Sequence, residues 1–446
     1  MPLPPGPPPI SAWIILEWLY RPLAFLSACQ RRYGDTFAVH LHRRLPPIVV
    51  VTHPDAVKEV FSGDPMEMSA GKVNITLKDF LGPNSLLMLD GKEHLRQRRM
   101  VLPPFHGERM HAFGGVMLEA AHASINGWPM GRRFPLHAQM QSITLEIILR
   151  AIFGALAEDL AERKKTITRL LEIGSWPPLL LPFFRIDLGK WSPWGRFLRL
   201  TAEADAQFFA ELRRRRAQKG AEPTDILAML MDARDEDGTP LSDAELRDQL
   251  VTLLVAGHET TATALTWALY WIPRTPGLVA RLEAEIASAR DGATGKLVPE
   301  RVARLELLDA SVRETLRLQP VVPMVGRLLE KPTRIAGYDL PAGVAVLPSV
   351  YLAQQRPEAF PEPERFLPDR FLGKKSSPYE WFPFGGGIRR CVGMAFALYE
   401  MKMVLAATLS RARIRLAPGV RIRPVRRSVT LSPSGGLPII VDEKRP

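Results

Sequence analysis

The chain of 446 residues is 46% hydrophobic and 24% charged, a balance that excludes a disordered protein and favours a globular one with a sizeable core. Its two cysteines exclude a disulfide scaffold, a multi-cysteine zinc site and a thiolate-bound iron–sulfur cluster, although one cysteine can still act alone. The 59 basic residues against 47 acidic ones give a net charge of +12, which favours nucleic acid, a membrane surface or an acidic protein as partner.

The first ten residues are rich in proline, which predicts a stiff segment over residues 1–10 ahead of the folded part. The apolar stretch that follows is interrupted by Glu17 and is shorter than the roughly 20 residues that a membrane span needs. It also lacks the basic start of a secretory signal. We therefore expect a cytoplasmic protein without a transmembrane anchor, whose Trp13–Ile15 patch either packs against the body or touches a membrane surface.

Secondary-structure patterns divide the remaining chain into a small β part and a large helical part. Alternating β-branched residues predict a hairpin over 35–52, and helical periodicity dominates from about 54 to 415. Residues 323–350 are β-like, residues 356–388 are rich in proline and glycine, and short strands follow up to Val441. The predicted helices cover residues 108–125, 138–155, 158–173, 196–218, 241–271, 277–290, 308–318 and 393–411.

The helix predicted over 241–271 is unusually long, and its length indicates that it crosses the whole protein. Ser242 and Glu245, three residues apart, form a capping-box pattern at its start. No repeat or linker divides the chain after the proline-rich segment. The prediction is a single, mainly α domain over residues 11–446, with a small β region contributed by both ends of the chain.

The most informative stretch is residues 384–393, Phe-Gly-Gly-Gly-Ile-Arg-Arg-Cys-Val-Gly. Its glycines permit a tight turn and close approach to a flat partner, and the amides of the following helix and the arginines favour a thiolate at Cys391. Such a thiolate is a nucleophile or a metal ligand, but a nucleophile needs a base and the last histidine is His258. An inert buried cysteine after a glycine turn is the remaining alternative.

This stretch resembles the Phe-x-x-Gly-x-Arg-x-Cys-x-Gly signature of the haem-thiolate monooxygenases, the cytochrome P450 family. The resemblance implies the fold of that family, a triangular prism with haem b between the long central helix and the helix after the cysteine loop. It makes Cys391 the iron ligand. Gly393 then supplies a backbone donor to its sulfur, and Phe384 supplies an apolar shield.

A second segment, residues 256–261 in the long helix, resembles the oxygen-binding segment of the same family. By this resemblance Ala256 and Gly257 border the haem, and Gly257 gives room above the metal. Thr260 donates a hydrogen bond to bound oxygen, and Glu259 relays protons from solvent. The alternative is that the threonines are merely tolerated within the helix and that Glu259 lies on a solvated face.

The resemblance also nominates residues that bind or support the haem. Its propionates need cations, and the residues nominated to bind them are His94, Arg98, Arg327 and Arg389. Glu314, Arg317 and Arg370 are expected to form a buried ion-pair cluster, a structural lock that supports the cysteine loop. The alternative is that Glu314 and Arg317 form an ordinary surface ion pair. The chain departs from the family at Gln354, where histidine is frequent.

The implied activity is insertion of one oxygen atom of O2 into a lipophilic small molecule, by hydroxylation or epoxidation of a fatty-acid, terpenoid or other natural-product-like substrate. Lipophilicity is indicated by the apolar segments expected to line the pocket: residues 75–88, 174–184, 255–256, 321–325 and 432–435. The run 179–184 either forms a mobile entrance, dips into a membrane surface or belongs to the core.

The chain carries no flavin or nicotinamide fingerprint, so two electrons have to come from a separate ferredoxin or flavodoxin with its NAD(P)H reductase. An acidic carrier is expected to dock at outward-facing cations near the thiolate, namely Arg96, Arg99, Arg390 and Lys402. We expect a monomer that does not bind nucleic acid. Alternatives are a haem-thiolate peroxygenase or isomerase acting on peroxides, and a non-catalytic haem sensor.

Overall fold

The computed structural model describes residues 2–8, 12–42, 45–154, 160–174, 176, 179, 185–217, 225–427 and 429–445, and it is mainly helical with small sheets. The helices are α1 (Ala12–Tyr20), α2 (Pro22–Tyr33), α3 (Pro54–Ser62), α4 (Lys78–Leu81), α5 (Gly91–Val101), α6 (Glu108–His111), α7 (Gly114–Asn126), α8 (Leu136–Phe153), α9 (Leu160–Gly174), α10 (Pro193–Ala217), α11 (Ile226–Asp232), α12 (Asp243–Trp271), α13 (Leu278–Ser288), α14 (Pro299–Val302), α15 (Glu306–Leu318), α16 (Val350–Ala353) and α17 (Met394–Arg411).

The strands are short and gather into one mixed sheet and three smaller ones. They are β1 (Thr36–Val39), β2 (Ile48–Val51), β3 (Met68–Ser69), β4 (Phe134–Pro135), β5 (Arg327–Leu329), β6 (Thr333–Ile335), β7 (Tyr338–Leu340), β8 (Ala345–Pro348), β9 (Ala412–Leu416), β10 (Pro424–Arg427), β11 (Thr430–Pro433) and β12 (Pro438–Lys444). The main sheet has the order β1-β2-β8-β5-β3, and a second sheet has the order β4-β12-β9. The pairs β6–β7 and β10–β11 are separate hairpins.

The predicted hairpin over 35–52 is present as the antiparallel pair β1–β2, with Thr36 opposite Val51. The proline-rich segment continues the sheet beyond it, because the amide of Ala38 donates to the carbonyl of Pro5 at 3.0 Å. A Cβ on Gly6 would lie 1.9 Å from the Ala38 carbonyl oxygen, so this close approach requires glycine. The β region therefore combines segments from both ends of the chain and from its middle.

The helix α12 runs through the centre of the molecule and packs against α8, α17 and β11. Its first turn is fixed by the predicted capping box: the Ser242 hydroxyl accepts from the Glu245 amide, and the Glu245 carboxylate accepts from the Ser242 amide. Most of its side chains are buried, including Leu254, Leu265 and Trp267. A helix that is apolar on nearly all sides is stable only in the interior, which is why this element organises the core.

The structure differs from the predicted helices in two places. The region 108–125 is two helices, α6 and α7, and α7 begins at Gly114, where a Cβ would lie 2.2 Å from the Tyr399 hydroxyl oxygen. The helices α1 and α2 were not predicted, because Pro22 ends the apolar pattern before a full period repeats. Of the apolar run 179–184, residues 180–184 lie outside the described residues. No helix within the described ranges combines the length and apolarity that crossing a membrane takes.

Candidate functional site

The glycine-rich loop before α17 lies directly on α3, and glycine is required there by contact. A Cβ on Gly386 would lie 2.1 Å from the Phe61 ring, and one on Gly387 would lie 2.1 Å from the Phe61 carbonyl oxygen. The loop closes through a hydrogen bond from the Cys391 amide to the Phe384 carbonyl at 3.0 Å. The turn therefore places the Cys391 thiol immediately before α17.

Cys391 lies deep within the protein, but other protein atoms do not cover its side chain. The thiol therefore borders an internal space. Ala256, midway along the central helix α12, is exposed as well. Burial raises the pKa of the Cys391 thiol, against the lowering effects of the Gly393 backbone and of Arg98 and Arg390. The predicted lowering by a backbone amide and arginines is present, but it is smaller than the effect of burial. A buried thiolate at this position needs a further cation, and a metal ion supplies one.

The four residues nominated for the propionates form one cluster. His94 and Arg327 are buried. Burial lowers the pKa of His94 to about 3, and the positive charges of Arg389, Arg98 and Arg327 act in the same direction. Burial lowers the pKa of Arg327 and of Arg389 to about 10. One carboxylate, Asp90, pairs with Arg389. Three guanidinium groups facing one carboxylate leave an excess of buried positive charge, which an anionic ligand would neutralise.

Asp90 itself was not predicted as a site residue. An aspartate directly before a helix indicates an N-cap, but the Asp90 side chain makes no cap bond to α5. Its Oδ1 accepts from the amides of Ala70 and Gly71, at 2.8 and 2.9 Å. Arg389 also donates to the carbonyl of Leu86 at 3.2 Å. The loops on both sides of α4 are thereby tied to the cysteine loop, although no local sequence pattern shows these long-range contacts.

The segment 256–261 contains a hydroxyl-to-carbonyl hydrogen bond within the helix: Thr260 Oγ1 donates to the Ala256 carbonyl at 2.5 Å. Such a bond competes with the helical hydrogen-bond ladder. Gly257 lies close to α8. A Cβ there would lie 3.3 Å from Ile148 Cδ1, so the missing side chain lets the two helices approach each other.

Glu259 faces α8 and β10, and it is partly buried rather than on a solvated face. Its Oε2 accepts from Gln141 Nε2 at 2.6 Å, and its Oε1 lies 3.6 Å from His137 Nε2 and 3.8 Å from Arg427 Nε. Burial raises the pKa of Glu259. The sequence did not indicate His137, Gln141 or Arg427, since their positions relative to Glu259 depend on the packing of α8 and β10 on α12.

The predicted lock is buried, which excludes an ordinary surface ion pair. Glu314 and Arg317 have 0% exposed side chains and are joined by Arg317 Nε–Glu314 Oε2 at 2.7 Å. Arg370 Nε adds a contact to Glu314 Oε1 at 3.1 Å. Gln354 completes the cluster, because its backbone carbonyl oxygen accepts from Arg317 Nη1 at 2.9 Å.

Two of the four cations predicted to receive an electron carrier have partners within the chain. Arg96 is half-buried and pairs with Asp235 and Glu245, at 2.6 and 2.8 Å. Lys402 donates to the Ala303 carbonyl at 2.7 Å, with its side chain 13% exposed. The prediction that Arg96 faces outward is therefore wrong, and Lys402 is largely buried as well. Arg99 and Arg390 are exposed, with Arg99 paired to an exposed glutamate.

The apolar segments predicted to line one pocket are only partly brought together. Val325 lies beside the cysteine loop, 3.7 Å from the position of a Cβ on Gly385. The segment 432–435 contacts α12 further along the helix, where Ser432 Oγ is 3.0 Å from Thr263 Oγ1. Of the stretch 174–184, the residues 175, 177, 178 and 180–184 are outside the described part of the chain.

These residues fit a haem with a single protein ligand. Over the described ranges, no three histidine, cysteine, aspartate or glutamate side chains cluster in a way that could hold a metal ion. One deep thiol at the edge of an internal space and a buried group of cations short of anions match an iron porphyrin with two carboxylates.

Comparisons with known proteins agree with this arrangement. The family model for cytochrome P450 matches residues 4–439. Curated relatives include two Mycobacterium tuberculosis proteins. Putative cytochrome P450 135B1 is 43% identical, with 100% of this chain and 92% of the relative covered. Putative cytochrome P450 135A1 is 34% identical, with 97% and 94% covered.

Solved structures show the same fold. A retinoic acid-bound cyanobacterial CYP120A1 has a TM-score of 0.86 at 24% identity, over 99% of this chain and 100% of that one. A cytochrome P450 named CYP102L1 has a TM-score of 0.82 at 25% identity, over 96% and 98% of the two chains.

Proposed function

Because this chain belongs to the cytochrome P450 family, and is therefore a haem monooxygenase that uses O2 and a redox partner, we propose that it inserts one oxygen atom into a lipophilic small molecule. The observation that carries the proposal is the exposed side chain of Cys391 at the edge of an internal space deep in the protein. Neither an inert buried cysteine nor a surface nucleophile would have these surroundings.

Haem b is the cofactor that we propose, held by Cys391 as ligand and by His94, Arg98, Arg327 and Arg389 at its propionates. When bound, the haem iron activates dioxygen with two electrons. Neutral His94 can donate a hydrogen bond to a carboxylate, and the guanidinium groups supply the charge. Their excess over Asp90 makes the cluster favour a dianionic porphyrin over a neutral ligand.

Around the ligand, Gly393 and Phe384 set the environment of the sulfur. The Gly393 backbone acts to lower the pKa of Cys391, as a donor to the thiolate would. Phe384 contributes its carbonyl to the loop and is half-buried beside Trp381, with ring centroids 6.4 Å apart. The Gly393 backbone would thereby stabilise the thiolate, and the Phe384 ring would keep water from the sulfur.

Protons are supplied by Glu259 and Thr260. The Thr260 hydroxyl donates to the Ala256 carbonyl one turn earlier in α12, and the exposure of Ala256 supports a position for both residues at the haem side of the helix. Glu259 is the preceding residue, and burial raises the pKa of its carboxyl, which favours uptake of a proton before its release. Gly257 contributes by allowing α8 to approach α12 closely.

The substrate class follows from the apolar residues beside the space. Val325 and Ala256 are apolar, and Leu87 is 38% exposed within the loop that Arg389 holds. Burial of apolar surface would bind a fatty-acid, terpenoid or other natural-product-like molecule, and hydroxylation or epoxidation would follow. Electrons would come from an acidic ferredoxin or flavodoxin with its NAD(P)H reductase.

A reduced carbon monoxide difference spectrum tests the proposed ligation of the haem iron by the Cys391 thiolate. The haem-loaded protein should show the Soret band of a thiolate-ligated iron, and Cys391→Ser should lose that band. Cys29→Ser is the matched control, since Cys29 is buried in the α2 core with its pKa raised to about 11 and should leave the spectrum unchanged. A thiolate band that survives in Cys391→Ser would overturn the assignment.

Two alternative functions predict different turnover. A peroxygenase or isomerase would turn over with a hydroperoxide alone, without reductant. A haem sensor would bind carbon monoxide or nitric oxide but would consume no NADPH with ferredoxin, reductase and oxygen. The intact Glu259–Thr260 pair favours the monooxygenase, because only that activity consumes protons together with electrons from a carrier.

A further inference from the structure

Arg426 in the β10–β11 hairpin points away from the groups that surround Glu259. Neighbouring side chains of a strand point to opposite faces of the sheet. Arg427 points towards α12, where its Nε is 3.8 Å from Glu259 Oε1. Arg426 points the other way, towards α1, where its Nη2 donates to the Trp18 carbonyl at 3.2 Å. The two arginines are adjacent in β10 but have different surroundings.

The half-buried guanidinium of Arg426 lacks an anion. Its Nε is buried and has no hydrogen-bond partner among the residues that the structure describes. Burial lowers the pKa of Arg426, and no carboxylate within the described ranges offsets that effect. Arg317, by contrast, is buried against Glu314 with a distance of 2.7 Å. A guanidinium that is taken out of water without a carboxylate is unfavourable, and an anionic ligand would remove this cost.

The hairpin that carries Arg426 is joined to the segment that leads to the cysteine loop. Leu431, opposite Arg426 in the strand register, donates from its amide to the Val321 carbonyl at 3.0 Å. Val325, four residues further along that segment, lies beside the cysteine loop. Four residues of extended chain span at most about 14 Å. A long aliphatic molecule can therefore reach from Arg426 to the internal space at Cys391.

Apolar side chains lie on either side of this cation. Val429, three residues beyond Arg426, has a 42% exposed side chain. Trp18 and Met324 pack against the apolar cluster that contains Phe25. Ligand sites are mostly apolar, with a few polar groups that fix the orientation of the ligand. One cation beside apolar surface suits a molecule with a single anionic end and an apolar body.

We propose that Arg426 binds the carboxylate of the substrate and thereby selects, among lipophilic molecules, those with one carboxylate end, such as fatty acids. The inference rests on the proposed function, because it concerns the substrate of the same haem site. The end of a guanidinium gives two parallel hydrogen bonds to one carboxylate. Each terminal nitrogen carries two hydrogens, so the bond to the Trp18 carbonyl leaves Nη2 a donor for the ligand.

Two probes that differ only in their end group test the inference: dodecanoic acid, which is ionised near pH 7, and dodecan-1-ol. The shift of the Soret band of the haem-loaded protein gives the dissociation constant of each. The parent should bind the acid at least about tenfold more tightly than the alcohol. In Arg426→Gln this preference should disappear while the affinity for the alcohol is unchanged. Glutamine carries no charge but can still donate to the Trp18 carbonyl.

The matched control is Arg423→Gln, which removes the same charge at an exposed position three residues earlier and should keep the preference for the acid. Arg426→Lys retains a cation and should keep part of it. The carbon monoxide spectrum verifies haem ligation in each variant. An equal preference in Arg426→Gln and in the parent, or none in the parent, would overturn the inference alone. Binding of neither probe would contradict the proposed lipophilic substrate as well.

Discussion

Gln354 replaces a histidine frequent in the family, and its amide makes the bonds that hold the cysteine loop to the lock. Its Nε2 donates to the carbonyls of Leu316 and Arg317, both at 3.0 Å, and its Oε1 accepts from the Phe382 amide at 3.1 Å. One side chain therefore joins the end of α15 to the residue two positions before Phe384. An amide satisfies acceptors and a donor at once, as this position requires.

Replacing Gln354 with leucine should lower the free energy of unfolding by about 2 kcal/mol, because a buried amide and two carbonyls lose their partner. Gln354→His should cost less, since one ring nitrogen can still donate. The measurement is urea unfolding followed by circular dichroism. Gln355→Leu is the matched control: the Gln355 Nε2 has no hydrogen-bond partner among the described residues, so its loss should matter little. Equal losses in Gln354→Leu and Gln355→Leu would contradict the role of Gln354.

Thr260→Ala should uncouple electron use from oxygen insertion, because the hydroxyl that the Ala256 carbonyl holds at 2.5 Å is lost. We expect several-fold more hydrogen peroxide per NADPH consumed with ferredoxin, reductase and oxygen. Thr266→Ala is the control. Thr266 Oγ1 donates to the Ala262 carbonyl at 2.6 Å, at a fully buried site elsewhere in α12. Its loss should not change peroxide release. Peroxide release at the parent level in Thr260→Ala would show that the relay assignment is wrong.

The contact between α8 and α12 is the element that determines what surrounds Glu259. Gly257 lets Ile148 approach the central helix, and Thr144 Oγ1 donates to the His258 carbonyl at 3.0 Å. This close packing buries His137 and His258 at one interface. His258 is buried against α8, so we interpret it as a packing residue rather than an iron ligand.

The two histidines buried between α8 and α12 contribute to how stability changes with pH. Burial holds the pKa of His137 at about 3 and that of His258 at about 4, whereas an unfolded histidine has a pKa near 6.5. Below about pH 6.5 the unfolded chain binds protons that the folded chain does not, so stability falls with falling pH by up to about 1.4 kcal/mol per pH unit for each histidine.

Urea unfolding of the haem-loaded protein between pH 7 and pH 5 measures this slope, which is expected from about pH 6.5 downwards. His258→Gln should make the slope shallower by the contribution of one histidine, because glutamine does not titrate. A slope that is the same in His258→Gln and in the parent would contradict burial of a neutral imidazole at this interface.

At the scale of the whole molecule, the net charge of +12 is not one continuous basic face. Part of it is the buried cluster of Arg98, Arg327 and Arg389, and part is used in internal pairs such as Arg96 with Asp235. The cations that remain exposed near the thiolate are Arg99 and Arg390, both within the surface expected to meet an acidic electron carrier.

Reversing both charges, Arg99→Glu with Arg390→Glu, should slow reduction of the haem by an acidic ferredoxin by about tenfold at low salt and flatten its salt dependence. Stopped-flow reduction at several ionic strengths measures both effects, and the carbon monoxide spectrum checks haem ligation in the variant. Arg199→Glu, an exposed reversal on α10, is the control. An unchanged rate in the double variant would place the docking surface elsewhere.

The sequence alone identified the family and predicted the capping of α12, the order of the main elements and Cys391 as the haem ligand. These depend on residues close together in the chain, such as the ten-residue loop 384–393, whose chemistry follows from spacing. Only the tertiary structure decided that Gly257 faces Ile148, that Asp90 pairs with Arg389, and that Arg427 stands beside Glu259. Each of these contacts joins segments about 100 or more residues apart, and their geometry depends on how helices and strands pack.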